Sequence, residues 1–343
     1  MALTTVGNQL GRALIYRAPE EIEQCLACES RRLVALGVHK LAAAVAGRRM
    51  GVVSGCEECG LVFVNPVPSA DALMSMYGPE GEWSLARLDE RRPIDPGAQS
   101  ATSGTWPRLF DPIRDDLDVT RPAAGARVLD FGCGRGKFLD VLKRCGWETF
   151  GIEPAMDAAF STHQRLTAVP AEPTFDLVIA HHVLEHVTNP LAVLRQLAVA
   201  TRPGGYVFVA VPRLDTLPTH RDYRYVLSRV HVTAYTSTCM EGLLARAGWQ
   251  PVQAPDDEVA ISGGRRTSAR LRILARRVTG KLPTPRNALS PARDALRAYY
   301  TAAPRPVLER LGAVRLSARL VECRRQVKKW AGMLRMASQH VAR

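Results

Sequence analysis

Apolar and polar positions along this chain fall into a few clear patterns. Ala126 to Phe131 is a largely apolar run, broken by the glycines at 132, 134 and 136, and Phe138, Leu139, Val141 and Leu142 then recur at helical spacing through Lys137 to Cys145. The predicted order is strand, tight loop, helix. Trp147 to Ile152 and Phe175 to Ala180 read as two further strands, with a helix from Pro154 to Arg165 and at most a stub of strand at Leu166 to Val169 between them. Asn189 or Thr188 can cap a helix that buries Leu191, Val193, Leu194 and Leu197. Gly204 and Gly205 then turn the chain into a strand over Tyr206 to Val211, and a helix over Thr236 to Ala247 stops at Gly248.

The flanks are less regular. Alanine-rich Leu33 to Gly47 predicts a helix, with strand-like Met50 to Ser54 and Leu61 to Asn65 after it. Val67 to Arg121 is rich in Pro, Gly, Asp and Arg, with short helical stretches such as Ser69 to Tyr77. Beyond Gly264, helices are predicted over Ser268 to Val278, Pro291 to Tyr300 and Val307 to Met336, broken at Pro283, Pro285, Pro304 and Pro306.

The central glycines narrow the chemistry. A dinucleotide fingerprint spaces its glycines G-x-G-x-x-G, so that backbone amides and a helix N-terminus receive a pyrophosphate. Here only Arg135 separates the second and third glycines, so no pyrophosphate cradle is implied. Glu153 ends the next strand seventeen residues after Gly136, where a carboxylate can take both hydroxyls of a ribose.

Val128 to Gly136, Glu153, Phe175 to Ala180, His182-Val183-Leu184-Glu185-His186 with Pro190, and Arg202-Pro203-Gly204-Gly205 together resemble the class I S-adenosylmethionine-dependent methyltransferases, over about Pro122 to Ser262. The resemblance implies an α/β fold, with a Rossmann-like sheet that is mostly parallel and has an antiparallel final strand. It implies S-adenosyl-L-methionine as cofactor, with Asp130, Phe131, Gly132, Cys133, Gly134, Gly136, Glu153 and His181 as its binding residues. One departure stands out. Only twenty-one residues separate Glu153 from Phe175, where the fold usually fits a helix, a third strand and an acidic ligand for adenine. Glu172 is a replacement for that ligand, with Pro170 and Pro173 on either side.

Toward the N-terminus, Cys25-Leu26-Ala27-Cys28 and Cys56-Glu57-Glu58-Cys59 form two C-x-x-C knuckles with twenty-seven residues between them. Four thiolates in two such pairs, Cys25, Cys28, Cys56 and Cys59, can close a tetrahedral shell around a structural Zn2+ with no open position for water. Two disulfides or a redox pair are the alternatives. The line from Cys56 to Pro66 also resembles the zinc-ribbon module that precedes the methyltransferase domain in bacterial enzymes of sugar, cell-surface and natural-product pathways.

Three histidines are candidate catalytic groups. His182 and His186 flank Glu185 at i, i+3 and i+4, on one face if Val183 onward is helical. A histidine can take an acceptor proton near neutral pH. A divalent-metal site is a second reading, by resemblance to some catechol and RNA 2′-hydroxyl methyltransferases, although His182 stands where those carry a glutamate; loop capping is a third. His231 is either a further base or a structural cap. Arg213 to Val230 reads as an insertion over the site mouth, with Asp215, His220, Arg221, Asp222 and Tyr223 as candidate acceptor contacts. Tyr77-Gly78 and Trp106 are placed in a lid beside the cofactor or, alternatively, in the core.

At 343 residues the chain is long enough for one main domain plus smaller modules. The reading divides it into a leader (1–24), a zinc-ribbon-like module (25–66), a helical linker or lid (67–121), the methyltransferase domain (122–262) and a basic α-helical extension (263–343). From Gly264 onward twenty Lys and Arg face three acids, a net +17, leaving 26 basic and 30 acidic residues elsewhere. That tail suits packing on the domain or a homodimer partner, an anionic membrane surface or, with few aromatics for stacking, nucleic acid. With no secretory pattern and no uncharged run of ~18 to 20 apolar residues, the expected location is cytoplasmic. The expected function is methyl transfer to a small-molecule acceptor, a sugar or biosynthetic intermediate. An RNA-directed enzyme and a non-catalytic scaffold are the rivals.

Overall fold

The computed structural model describes residues 22–45, 48–68, 70–77, 117–153, 162–220, 226–228, 230–252, 256–262 and 265–302. In chain order these form β1 (Leu33–Val45), β2 (Arg48–Cys56), β3 (Val62–Asn65), α1 (Ala70–Tyr77), β4 (Arg127–Phe131), α2 (Lys137–Arg144), β5 (Glu148–Ile152), β6 (Gln164–Arg165), β7 (Phe175–His181), a 3-10 turn (Leu184–His186), α3 (Pro190–Ala200), β8 (Thr201–Pro212), a single helical turn (Leu217–His220), β9 (Thr233–Ala234), α4 (Ser237–Arg246), β10 (Trp249–Pro251), β11 (Asp256–Ser262), β12 (Arg265–Arg277) and α5 (Ser290–Ala302). No helix among the described residues is long and apolar enough to cross a membrane.

The main sheet runs β10-β12-β8-β7-β4-β5-β6, with β11 paired to β12. Strands β4 to β8 are mutually parallel, and β12 is antiparallel to β8 and β10. This is the expected Rossmann-like arrangement. The chain leaves β4 toward β5 on one side and β7 on the other, so the crevice at the carboxyl ends of β4 and β7 is the switch point where such sheets bind ligands.

Period-two alternation makes both faces of the sheet apolar. Val128, Leu177, Ile179 and Phe208 meet Phe138 and Leu139 of α2. Leu129, Val178, Val207 and Val209 meet the α3 and α4 side. Asn189 Oδ1 caps α3 by accepting from Ala192 N–H at 2.9 Å, and Thr236 Oγ1 caps α4 by accepting from Cys239 N–H at 3.1 Å.

Three expectations are overturned. Leu33–Val45 is a strand, not a helix: it pairs antiparallel with β2 from Leu33↔Cys56 to Val45↔Arg48, and tertiary pairing overrides alanine's helical preference. Ser268 to Val278 is not helical either. Arg270 and Arg272 alternate with buried Leu271 and Ile273, a strand period, and β12 inserts beside β8, so the sheet continues past residue 262. Lastly, the third strand is Gln164–Arg165, just before the stub expected at Leu166 to Val169. The helices expected at Pro154 to Arg165 and Val307 to Met336 fall largely or wholly outside the described residues.

Candidate functional site

The crevice is built from the glycine loop upward. Gly132, Gly134 and Gly136 all take left-handed backbone, with φ of 79°, 52° and 73°. At Gly132 a Cβ would lie 2.4 Å from Val183 Cγ2, so a side chain is excluded by both space and conformation. The loop folds against the end of β5: Gly132 and Cys133 N–H both donate to Ile152 O, at 2.7 and 3.1 Å. Glu153 closes it, its Oε2 accepting from Gly134 N–H at 3.0 Å.

Asp130 and Phe131 end β4 beneath the loop, both buried. Burial, and secondly the negative charge of Glu153, push the Asp130 carboxyl up to about 7. His181 ends β7, its ring parallel to Phe208 at 6.4 Å and edge-on to Phe138 at 6.5 Å. Burial, helped by the charges of His182 and Arg270, pulls its imidazole down to about 3, so it is neutral near pH 7. The predicted cofactor residues are thus gathered at the switch point. Glu172 is not among them: it is exposed and precedes β7, at the opposite end of the sheet from the loop. Arg165, which the sequence reading passed over, is close enough for its charge to act on the Cys133 thiol.

The three candidate bases converge on Glu185, although on a 3-10 turn and not on the helix expected from Val183 onward. His182 sits just before the turn at φ 56°, a conformation that costs a non-glycine residue about 1 to 3 kcal/mol. Its Nδ1 is 2.8 Å from Glu185 Oε1, and His186 Nε2 is 3.9 Å from the same oxygen. His231 packs edge-on against His186, with ring centroids 4.7 Å apart. Burial disfavours the Glu185 carboxylate, but the hydrogen bond from His182 and the neighbouring imidazoles hold it at about 2. Burial pulls His186 down to about 4 against the opposing pull of Glu185, though 21% of its side chain still meets solvent.

His186 Nδ1 lies 3.0 Å from Val230 O and 2.6 Å from the Tyr77 hydroxyl. The carbonyl can only accept, so a hydrogen on Nδ1 satisfies it and leaves Nε2 its lone pair, with the Tyr77 oxygen beside that hydrogen; the Tyr77 hydroxyl donating to a bare Nδ1 is the other arrangement these distances allow. Tyr77 thus belongs to the histidine cluster; Gly78 and Trp106 lie outside the described residues. Among the proposed acceptor contacts, Asp215 is engaged by Arg213 at 2.8 Å. The side chain of His220, and all of Arg221, Asp222 and Tyr223, lie outside the described residues.

At the knuckles, Cys25 Sγ lies 3.5 Å from Cys59 Sγ and Cys28 Sγ 3.6 Å from Cys56 Sγ, with all four sulfurs within 4.8 Å of one another. These are free thiols, not disulfides. A regular tetrahedron with metal–sulfur bonds of about 2.3 Å has edges of roughly 3.8 Å, close to these separations. Ala27 N–H points at Cys25 Sγ at 3.4 Å. Gly60, at φ 78°, turns the second knuckle where a Cβ would meet Ala288 O at 2.4 Å. Hydrogen bonding among the thiols pulls Cys28 down, to about 7, and pulls Cys56 down, while Cys25 and Cys59 are pushed up.

Residues 106–254 match the family model described as a methyltransferase domain. That stretch is under half of the chain, and over it the chain is similar to a methyltransferase domain. Curated relatives include the ubiquinone biosynthesis O-methyltransferases of Rhizobium etli (strain CIAT 652), 34% identical over 110 residues, and of Ralstonia nicotianae, 34% identical over 116 residues. These matches cover 28% and 29% of this chain and 44% and 49% of the relatives, so the chain spans less than half the length of each. Among solved structures, a methyltransferase of Archaeoglobus fulgidus is 15% identical with a TM-score of 0.40, covering 55% of this chain and 98% of that one. The 1,6-didemethyltoxoflavin-N1-methyltransferase of Burkholderia thailandensis, solved with S-adenosylhomocysteine, is 18% identical with a TM-score of 0.38, covering 53% and 88%.

The Asp130 shift gives the main sheet a measurable pH signature. A carboxyl whose folded pKa is raised costs stability as pH climbs from its unfolded value toward about 7, because the unfolded state gives up its proton in that range while the folded state keeps it. Asp130→Asn is therefore expected to match the wild type near pH 4 and to exceed it by a few kcal/mol at pH 8. Denaturation midpoints across that range read the difference; a gap constant with pH would contradict the buried, raised carboxyl.

Proposed function

We propose that this chain transfers the methyl group of S-adenosylmethionine to an oxygen of a small-molecule acceptor. The observation that carries this is the loop from Gly132 to Gly136, closed by Glu153 at the switch point of the sheet. The residues present suit that cofactor: three left-handed glycines let a ligand approach the backbone, and Glu153 supplies negative charge for a cationic ligand carrying a ribose, with Asp130 beneath the loop. Bound there, S-adenosylmethionine supplies a methyl group already activated by a sulfonium centre.

The rest falls to the chain's own side chains. They must hold the acceptor in line, exclude water and take its proton. His186 Nε2 is the base we assign, with Nδ1–H fixed on Val230 O and the buried Glu185 carboxylate stabilising the imidazolium once the proton has moved. His182 orients Glu185, and His231 backs the His186 ring. An oxygen acceptor follows the printed names of the curated relatives. Structural Zn2+ in the four-cysteine site and a cytoplasmic location, in keeping with free thiols, belong to the same reading.

The test is incubation of the zinc-loaded chain with methyl-labelled S-adenosylmethionine and a fractionated cell extract. Label in the small-molecule fraction, lost in Glu153→Ala, is expected. Label in RNA would overturn the acceptor class, and no transfer to any fraction would overturn the enzymatic reading.

A second reading has its own observation. Donor atoms of Glu185, His186 and His231 lie within 4.8 Å of one another, and Glu185 Oε2 is buried with no hydrogen-bond partner among the described residues. A divalent cation held there would orient the acceptor hydroxyl in place of a base. Activity abolished by brief chelation that leaves the cysteine-bound metal in place, and restored by added divalent ion, would select this reading.

A further inference from the structure

Among the described residues, the four-cysteine module shares its hydrophobic core with the rest of the chain. Cys56, Cys59, Leu61 and Phe63 belong to the same buried cluster as Leu184 and Tyr235 of the methyltransferase domain. The two parts also share a sheet, in the order β1-β2-β3-β9. Strand β3 leaves the second knuckle and pairs with β9, Val62 opposite Ala234 and Phe63 opposite Thr233. Val64 N–H donates to Val232 O at 3.0 Å.

From β9 the contacts pass straight to the histidine cluster. Val232 N–H donates to Glu185 O at 2.8 Å, and Val230 O holds His186 Nδ1. The hydroxyls of Thr233 and Tyr235 lie 2.9 and 2.6 Å from Leu184 O and 2.7 Å from each other, so two hydroxyl hydrogens serve one buried carbonyl at the start of the 3-10 turn. Both residues are fully buried. Leu184 O is thereby fixed from strand β9, whose own position is fixed by β3 and the knuckle that begins it. If the sulfurs lose their common centre, β3 loses its anchored end, and with it the pairing that places Val230, His231 and the turn.

We propose that the four-cysteine module is a positioning device for the histidine cluster, acting through Thr233 and Tyr235 on Leu184 O. These two are positioning residues: neither carries a group that enters the crevice beside the glycine loop. Reading the cluster as the methyl-transfer centre gives the device its purpose, but the test does not depend on that reading.

The experiment follows histidine ring resonances of the full, zinc-loaded chain by carbon–proton NMR, with His163 as internal control. His163 is buried on the far side of the glycine loop, bonded to Thr149 at 2.8 Å and Asp140 at 3.1 Å. Tyr235→Phe and Thr233→Val each leave one hydroxyl for the carbonyl, so the fold is expected to survive. Both variants should keep their zinc content and bind S-adenosylhomocysteine within about threefold of wild type. His186 and His231 should shift by more than a linewidth while His163 does not. Stripping the zinc with a chelator should move the same two resonances. If it disturbs His163 as well, the chain has unfolded and the two variants decide the matter alone. Unmoved His186 and His231 signals in both variants would overturn the proposal. Shifted signals in a chain that fails to bind S-adenosylhomocysteine would uphold the positioning device and sink the methyl-transfer reading instead.

Discussion

Chelation of the metal from the four cysteines is expected to lower the thermal midpoint drastically and to melt the structure around β1 to β3. Structural zinc in small modules contributes about 10 to 16 kcal/mol toward folding, which matches or exceeds the ~5 to 15 kcal/mol net stability of an ordinary domain. The four sulfurs are brought together from two knuckles far apart in sequence, with Cys25, Cys56 and Cys59 almost fully buried. Without a cation, thiolates this close repel one another, so the chain must either reprotonate them or separate them. Cys59→Ser should act in the same direction. Circular-dichroism melts with chelator, then with zinc restored, read the effect, and a midpoint indifferent to both would remove the metal from the account.

The second large effect is on cofactor affinity. Glu153→Ala is expected to weaken S-adenosylhomocysteine binding roughly 10- to 150-fold, the equivalent of losing one charge-assisted bond of about 1.5 to 3 kcal/mol. A ligand that binds only the folded state raises the melting midpoint with the logarithm of its concentration above the dissociation constant. The wild type should therefore show a concentration-dependent rise with S-adenosylhomocysteine that the variant lacks at the same ligand levels. Glu153 also accepts from Gly134 N–H, so the ligand-free variant should itself melt slightly earlier. That small loss is separable from the ligand effect, because it appears without ligand. An undiminished ligand-induced rise in Glu153→Ala would place the cofactor elsewhere.

What the sequence disclosed followed the range of the interactions involved. The loop from Gly132 to Gly136 and the helix caps at Asn189 and Thr236 were legible because a few adjacent residues determine them. The knuckles were legible because thiol spacing alone suggests a closed shell. Strand β1 is hidden from local reading: its alanines favour a helix, and only pairing with β2 decides otherwise. Strand β12 was hidden by composition, since its arginines merge with a basic tail while the alternation of Leu271 and Ile273 with Arg270 and Arg272 carries the true signal. The histidine cluster was half legible. His182, Glu185 and His186 are neighbours in sequence, but His231, Tyr77 and the hydroxyls of Thr233 and Tyr235 arrive from distant segments, and no local pattern marks them. Glu172 failed for a topological reason: it lies before β7, whereas the site lies after it.

The central claim is that the crevice at β4 and β7 is an S-adenosylmethionine site. Calorimetric titration of the purified, zinc-loaded chain with S-adenosylmethionine and, separately, with S-adenosylhomocysteine tests it most directly. The account predicts one site per chain for each, with dissociation constants on the order of micromolar, about −8 kcal/mol. A folded, zinc-loaded chain that takes up neither ligand would contradict it.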